Sequence, residues 1–298
     1  MKLVYSDDYD LNLGTHIFPS NKYRLIKEKV LREGVARPED FMEALAVPER
    51  DVALVHDLSY IHKLQADKLS LTEILRLEVP YSPELVRAVW LSVGGSILAG
   101  TFALEDGAAV NVGGGFHHAF PDHGEGFCVL NDVAVAIRRL QKALVIERAM
   151  TVDCDVHQGN GTASIFAGEK NVYTLSVHQE HNYPYPKPPS SLDVNMPDGA
   201  GDAEYLAALT QALDQALAEF HPDLILYVAG ADTYCDDQLG GLKLTLEGLE
   251  NRDRLVFQKA RAQDIPVAVT LGGGYARQLE DTILIHTNTI RVAKEFAR

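Results

Sequence analysis

Five short apolar runs of strand length limit how this chain can fold. They read AAVNV at 108–112, AMTVDCD at 149–155, NVYTLSV at 171–177, DLILYVAG at 223–230 and PVAVTLGG at 266–273. Longer stretches of helical period occupy 82–105, 129–144, 202–220, 246–263 and 277–296. Runs of this length carry no polar alternation, so both of their faces must be buried. Their alternation with helices predicts a mostly parallel central sheet with helices on both faces, an α/β arrangement. Residues 1–75 read as helix and loop packed against the same sheet, making residues 1–298 one domain. The tract YPYPKPPSS at 183–191 contains four prolines, which forbid regular structure there. Strong sheet signals flank it, so it reads as a surface loop within the domain.

Composition sets the outer limits. Of 298 residues, 46% are hydrophobic and 23% charged, enough apolar material for a sizeable core. Lys and Arg number 27 against 42 Asp and Glu, a net charge of −15. Nucleic-acid binders carry the opposite balance, so no nucleic-acid partner is expected. The first residues, MKLVYSDDYD, lack the apolar segment of a signal peptide. No stretch reads as the ~18 apolar residues of a membrane span. Three cysteines, Cys128, Cys154 and Cys235, show no paired spacing, which suits a reducing, cytoplasmic setting.

The chemistry lies where the apolar runs end. GGGFHHAFPDHGEGF follows the first, CDVHQGNG the second, AGADTYCDDQLGG the fourth and GGGYAR the fifth. In open parallel sheets, ligands bind outside the carboxyl ends of the strands, so these distant loops are expected to converge on one crevice. Asp155 and His157 are two residues apart near a strand end and can reach one ion, with Asp232 as a third ligand. Three O and N ligands with a position left open is the pattern of a catalytic zinc. The adjacent His117 and His118 follow three glycines. One neutral imidazole can take a proton from water and the other can hold charge. Asp153, deeper on the strand, is a partner for a histidine N–H, and Asn160 can orient the other ring. Tyr275, after Gly272–Gly274, can donate a hydrogen bond to a carbonyl oxygen as it gains charge.

Taken together these strings resemble the zinc-dependent histone deacetylases. The matching motifs are His117-His118, the segment from Asp153 through Asp155, His157, Gln158 and Asn160, the Gly230-Ala-Asp232 loop and the glycine loop ending at Tyr275. The likeness runs from the Tyr5-to-Pro19 region to the last helix. Leu239-Gly-Gly-Leu and the segment Asn251 to Phe257 look closest to the class IV branch and its prokaryotic relatives. The resemblance implies the arginase–deacetylase fold and a Zn²⁺ held by Asp155, His157 and Asp232. It implies His118 as general base and then acid, and His117 as its electrostatic partner. Asp153 would pair with His117 and Asn160 with His118, while Tyr275 polarises the scissile carbonyl. Gly126 and Phe127 would form one wall of a substrate tunnel, with Tyr183 opposite. A structural monovalent cation, K⁺ or Na⁺, would sit beside Asp153 and Ser176. Many family members carry His where Gln158 stands and Asp where Asn160 stands. Asn carries no charge, so His118 would gain less stabilisation as imidazolium, which suits a base that rests neutral.

The expected reaction is removal of an acyl group, acetyl or longer, from the Nε-amine of lysine. An amidohydrolase of acetylated polyamines would use the same site. A two-manganese ureohydrolase would want more carboxylates than these loops supply. A silent acyl-lysine-binding module would have lost a ligand, a histidine or the tyrosine, and all are present here. The acyl length, the choice of protein or metabolite substrate, and the oligomeric state are not written in the motifs.

Overall fold

The computed structural model describes residues 1–298. Eight strands form one sheet: β1 (Leu3–Tyr5), β2 (Phe41–Glu43), β3 (Ala108–Asn111), β4 (Ala149–Asp153), β5 (Val172–Gln179), β6 (Leu192–Met196), β7 (Leu224–Val228) and β8 (Val267–Thr270). Their spatial order is β2-β1-β3-β8-β7-β4-β5-β6. Every neighbouring pair is parallel. The strands β3, β4, β5, β7 and β8 are buried along their whole length, which is why they read as unbroken apolar runs.

Ten helices join them: α1 (Lys22–Arg32), α2 (Glu49–Val52), α3 (Leu58–Gln65), α4 (Leu71–Leu77), α5 (Pro83–Asp106), α6 (Asp132–Lys142), α7 (Asn160–Ile165), α8 (Asp202–Glu219), α9 (Leu246–Ala262) and α10 (Leu279–Phe296). Helices α5 and α6 pack together over the sheet, and α1, α10, α9 and α8 pack one against the next. Local chemistry sets their ends. Ser82 accepts from the Leu85 N–H, Pro83 occupies the first turn, and Gly107 closes α5 at φ 79°. Thr245 caps α9 by accepting from the Gly248 N–H. A large core runs through both faces of the sheet.

Three features differ from the sequence expectation. Residues 3–5, 41–43 and 192–196 are strands of the same sheet. The first two are too short to show a period, and Leu192–Met196 is a partly exposed edge strand with polar residues in it. The run 149–155 stops being strand at Asp153, so Asp155 and His157 lie in the turn beyond it. The absence of a membrane-length apolar segment is also corrected. Helix α5 is long and apolar enough to span, at mean hydropathy 1.4, but 67% of that window is buried in the protein. It is apolar because it packs against the sheet and α6.

Candidate active site

Strands β3, β8, β7 and β4 are consecutive neighbours and all parallel, so their carboxyl ends share one edge. The four loops that follow them therefore meet, although they span residues 113–275 in sequence. Asp155, His157 and Asp232 each offer a ligand atom, and those atoms all lie within 4.8 Å of one another. His157 Nδ1 lies 3.1 Å from Asp155 Oδ1 and 3.5 Å from Asp232 Oδ2. The other carboxylate oxygens are committed: Asp155 Oδ2 accepts from the Gly273 N–H at 2.8 Å and Asp232 Oδ1 from the Val156 N–H at 2.8 Å. A Cβ at position 273 would collide with Asp232 Oδ2, so only glycine lets that backbone approach.

Asp232 Oδ2 is buried and has no hydrogen-bond partner. Burial and the neighbouring Asp155 raise the Asp232 carboxyl to about 7. Burial opposes charge on His157, but the hydrogen bond to Asp155 and the nearby negative charges of Asp155 and Asp232 outweigh it and lift the ring to about 10. Two facing carboxylates, one with an orphaned oxygen, and an imidazole nitrogen between them are a donor set short of a cation. A divalent ion of the zinc type fits that deficit in charge and ligand chemistry.

The tandem histidines stand beside this cluster with ring centres 4.1 Å apart. His117 Nδ1 meets Asp153 Oδ2 at 2.6 Å, and its Nε2 is 3.8 Å from Asp155 Oδ1. Burial works against its charge, yet Asp153 and Asp155 prevail and raise it to about 9. His118 behaves oppositely. Its Nδ1 meets Asn160 Oδ1 at 2.7 Å, a neutral partner. Burial, His117 and His157 push it well below its ordinary value, so it is neutral at neutral pH. Two adjacent residues of one type are thus set to different charge states by what faces them.

The remaining sequence candidates line one cleft of about 440 Å³ that opens over the cluster. Gly126 and Phe127 are consecutive left-handed residues, φ 54° and 69°, and the Phe127 N–H bonds to the Leu77 carbonyl at 2.8 Å. A side chain at 126 would press on His118 and on the Tyr183 hydroxyl. Phe127 packs edge-on to Tyr275, centres 5.9 Å apart, and Tyr183 packs edge-on to His118 at 4.9 Å. Tyr275 is buried, and desolvation with Asp155 and Asp232 nearby holds its phenol well above the usual range, so it is a proton-bearing donor. Ser176 pairs in register with Asp153, and its hydroxyl bonds His178 Nδ1 at 2.9 Å.

Several functional positions carry no signal of their own in the sequence. Lys22 is fully buried, donates to the Gly272 carbonyl at 2.8 Å and lies near the rings of Phe18, Tyr23 and Tyr275. Desolvation lowers it to about 8 against the pull of Asp232, Asp155 and Asp237. Asp132 accepts from the Gly115 and Phe116 N–H groups, fixing the loop that presents the histidines. Asp237 accepts from the Tyr275 N–H at 2.6 Å and does the same for the tyrosine. Arg252 donates to the carbonyls of Cys154 and Gly230, one just before Asp155 and the other two residues before Asp232. Glu125, in the rim segment GEGF, accepts from Asn160 and from Tyr183, each at 2.6 Å. Each of these is defined by a distant partner, which no local pattern reveals.

The histone deacetylase domain model matches residues 16–290. An uncharacterised protein of a Picosynechococcus strain is 40% identical over 98% of both chains. Histone deacetylase 2 of Arabidopsis thaliana is 33% identical over 95% of this chain and 78% of its own. Among solved structures, the HDA15 HD domain superposes with a TM-score of 0.81, covering 99% of this chain and 91% of the other at 23% identity. The parallel sheet flanked by helices is accordingly the arginase–deacetylase fold, as the motifs implied. With the domain model spanning nearly all of it, the chain belongs to the histone deacetylase family.

Proposed function

We propose that this protein is a zinc-dependent deacylase that hydrolyses the amide of an acylated lysine or a related acylated amine. The observation that carries this reading is the buried, unpartnered Asp232 Oδ2, within 4.8 Å of ligand atoms of Asp155 and His157, beneath a cleft. The deacetylase named among its relatives supports the same reaction class.

Asp155, His157 and Asp232 would hold the ion, which when bound acts as a Lewis acid on the carbonyl and lowers the pKa of water toward about 7. The chain's own groups do the rest. His118, neutral and with Nδ1 engaged by Asn160, takes a proton from the attacking water. The water oxygen bonds to the carbonyl carbon, and the oxygen that gains charge accepts from the Tyr275 hydroxyl. His117, held by Asp153, keeps a positive ring beside the developing anion. His118 then delivers its proton to the amine nitrogen as the C–N bond breaks, leaving a carboxylic acid whose remaining proton passes to the freed amine, so that the products are a carboxylate and an ammonium group. Phe127, Tyr275 and Tyr183 flank the aliphatic part of the substrate and exclude water. A monovalent cation at Asp153 and Ser176 belongs to the same reading.

The test is metal analysis of the purified protein together with turnover on acetyl-lysine and myristoyl-lysine peptides and on an acetylated polyamine. The expected result is one catalytic ion per chain and amine release from a lysine substrate. Release from the polyamine alone would move the assignment to a metabolite amidohydrolase. Full activity in Asp232→Ala, with metal retained, would overturn the ligand set.

A further inference from the structure

We propose that Glu125 sets the tautomer of His118 through Asn160, so that residues 125 and 160 work as a matched acceptor–donor pair. The inference rests on the reading of His118 as the proton-transfer group. The geometry is a chain of two short contacts. Asn160 Oδ1 faces His118 Nδ1 at 2.7 Å, and Asn160 Nδ2 donates to Glu125 Oε1 at 2.6 Å. His118 lines the cleft, and Asn160 is buried between it and Glu125.

An amide can face a histidine with either end, so Asn160 alone leaves the ring undecided. With its oxygen toward His118, Nδ1 must carry the hydrogen and Nε2 keeps a free lone pair. With its nitrogen toward His118, Nδ1 must be the acceptor and Nε2 carries the hydrogen, which disables the base. Glu125 removes the ambiguity because an ionised carboxylate only accepts. Burial opposes that ionisation, but hydrogen bonds from His123, Tyr183 and Asn160 override it and hold the group at about 2. Tyr183 donates to the same Oε1 at 2.6 Å, so the carboxylate is fixed from two sides. A glycine on each side of Glu125 leaves its backbone free to enter the rim. Glu125 is a positioning residue: it acts on the substrate only through Asn160, His118 and Tyr183.

The arrangement carries a consequence that a merely structural role would not. An aspartate in place of Asn160 would supply a charged acceptor to the histidine directly. In this chain it would also put a second carboxylate against Glu125, and two carboxylates in contact cannot both ionise. Adding Glu125→Gln to Asn160→Asp would offer the new carboxylate an N–H and restore a donor–acceptor pair with the polarity reversed. His118 would then again carry its hydrogen on Nδ1.

The experiment is a double-mutant cycle in the zinc-loaded full chain, read by kcat on an acetyl-lysine peptide and by ¹⁵N NMR of histidine-labelled protein. The His118 ring signals are assigned by their loss in His118→Ala. Glu125→Gln keeps an acceptor and is expected to cost about tenfold. Asn160→Asp is expected to cost about 100-fold, the loss of an effective base. The double variant should recover to within about tenfold of the parent. The parent spectrum should place the His118 proton on Nδ1. A proton on Nε2 in the parent, an Asn160→Asp variant of full activity, or a folded double variant no better than Asn160→Asp would overturn the proposal. Should the parent hydrolyse no acylated amine, the deacylase reading fails, while the ring spectrum still decides this one.

Discussion

His56 is buried with both ring nitrogens engaged. Nδ1 faces the Phe120 carbonyl at 2.9 Å, and Nε2 accepts from the Asn131 N–H at 2.9 Å. A proton on Nε2 would destroy the second bond, and burial lowers the ring from 6.5 to about 4. The unfolded chain therefore binds more protons than the folded one between those two values. Stability from this residue is complete above 6.5 and is lost as pH falls toward 4, about 3 kcal/mol in all. The stability gap between the parent and His56→Gln should narrow by that amount between pH 7 and pH 4. Urea unfolding at the two pH values measures it, and an unchanged gap would show that His56 does not titrate as described. Tyr275 makes a separate claim. Its hydroxyl is the phenol donor beside the ligand cluster, so Tyr275→Phe should lower kcat roughly 10²–10³-fold and leave the metal content intact. Near-normal turnover would remove the tyrosine from the reaction.

Between elements, two turns must be held in register for the ligands to meet, and α9 does this from below. Arg252 is fully buried and donates to the Cys154 carbonyl at 3.2 Å and the Gly230 carbonyl at 2.5 Å. It also pairs with buried Asp253 at 2.8 Å. Arg252→Met should cost about 3–5 kcal/mol in denaturant unfolding, because Asp253 is then an uncompensated buried charge. A loss under about 1 kcal/mol would mean that the pair breaks even and the turns hold themselves. The same contacts mark where the sequence stops being readable. Asp155, His157 and Asp232 were legible because each follows an unbroken apolar run. The five long strands were legible because burial on both faces excludes polar residues. Strands of three residues and the half-polar β6 leave no such trace. Lys22 looks like any basic residue of the amphipathic stretch KYRLIKEKVLR, and only the packing of α1 under the 272–275 loop buries it. Glu125 looks like a rim carboxylate until Asn160 and Tyr183 arrive from residues far along the chain.

Across the molecule, the net charge of −15 is not spread evenly. Asp132, Asp153, Asp155, Asp232 and Asp237 are all buried around one end of the sheet, where Lys22, Arg252 and His117 supply buried positive charge. The strand order makes that concentration unavoidable, since the carboxyl ends of β3, β8, β7 and β4 form one edge. The fold thus stores repulsion at the cluster proposed to hold an ion, and Asp232 at about 7 is its clearest sign. A raised carboxyl means that the metal-free folded chain binds more protons than the unfolded one between 3.8 and about 7. The contribution of Asp232 to metal-free stability should therefore fall as pH rises through that window. Zinc should reverse the trend, adding about 4 kcal/mol at a thousandfold excess over its dissociation constant. Asp232→Asn separates the two effects because it keeps the shape and removes the charge. Melted in chelator at pH 7.5, the variant should be more stable than the parent; melted in zinc, it should be less stable. A variant that is weaker under both conditions would show that Asp232 braces the fold through its contacts, and that repulsion among the buried carboxylates is not what the ion relieves.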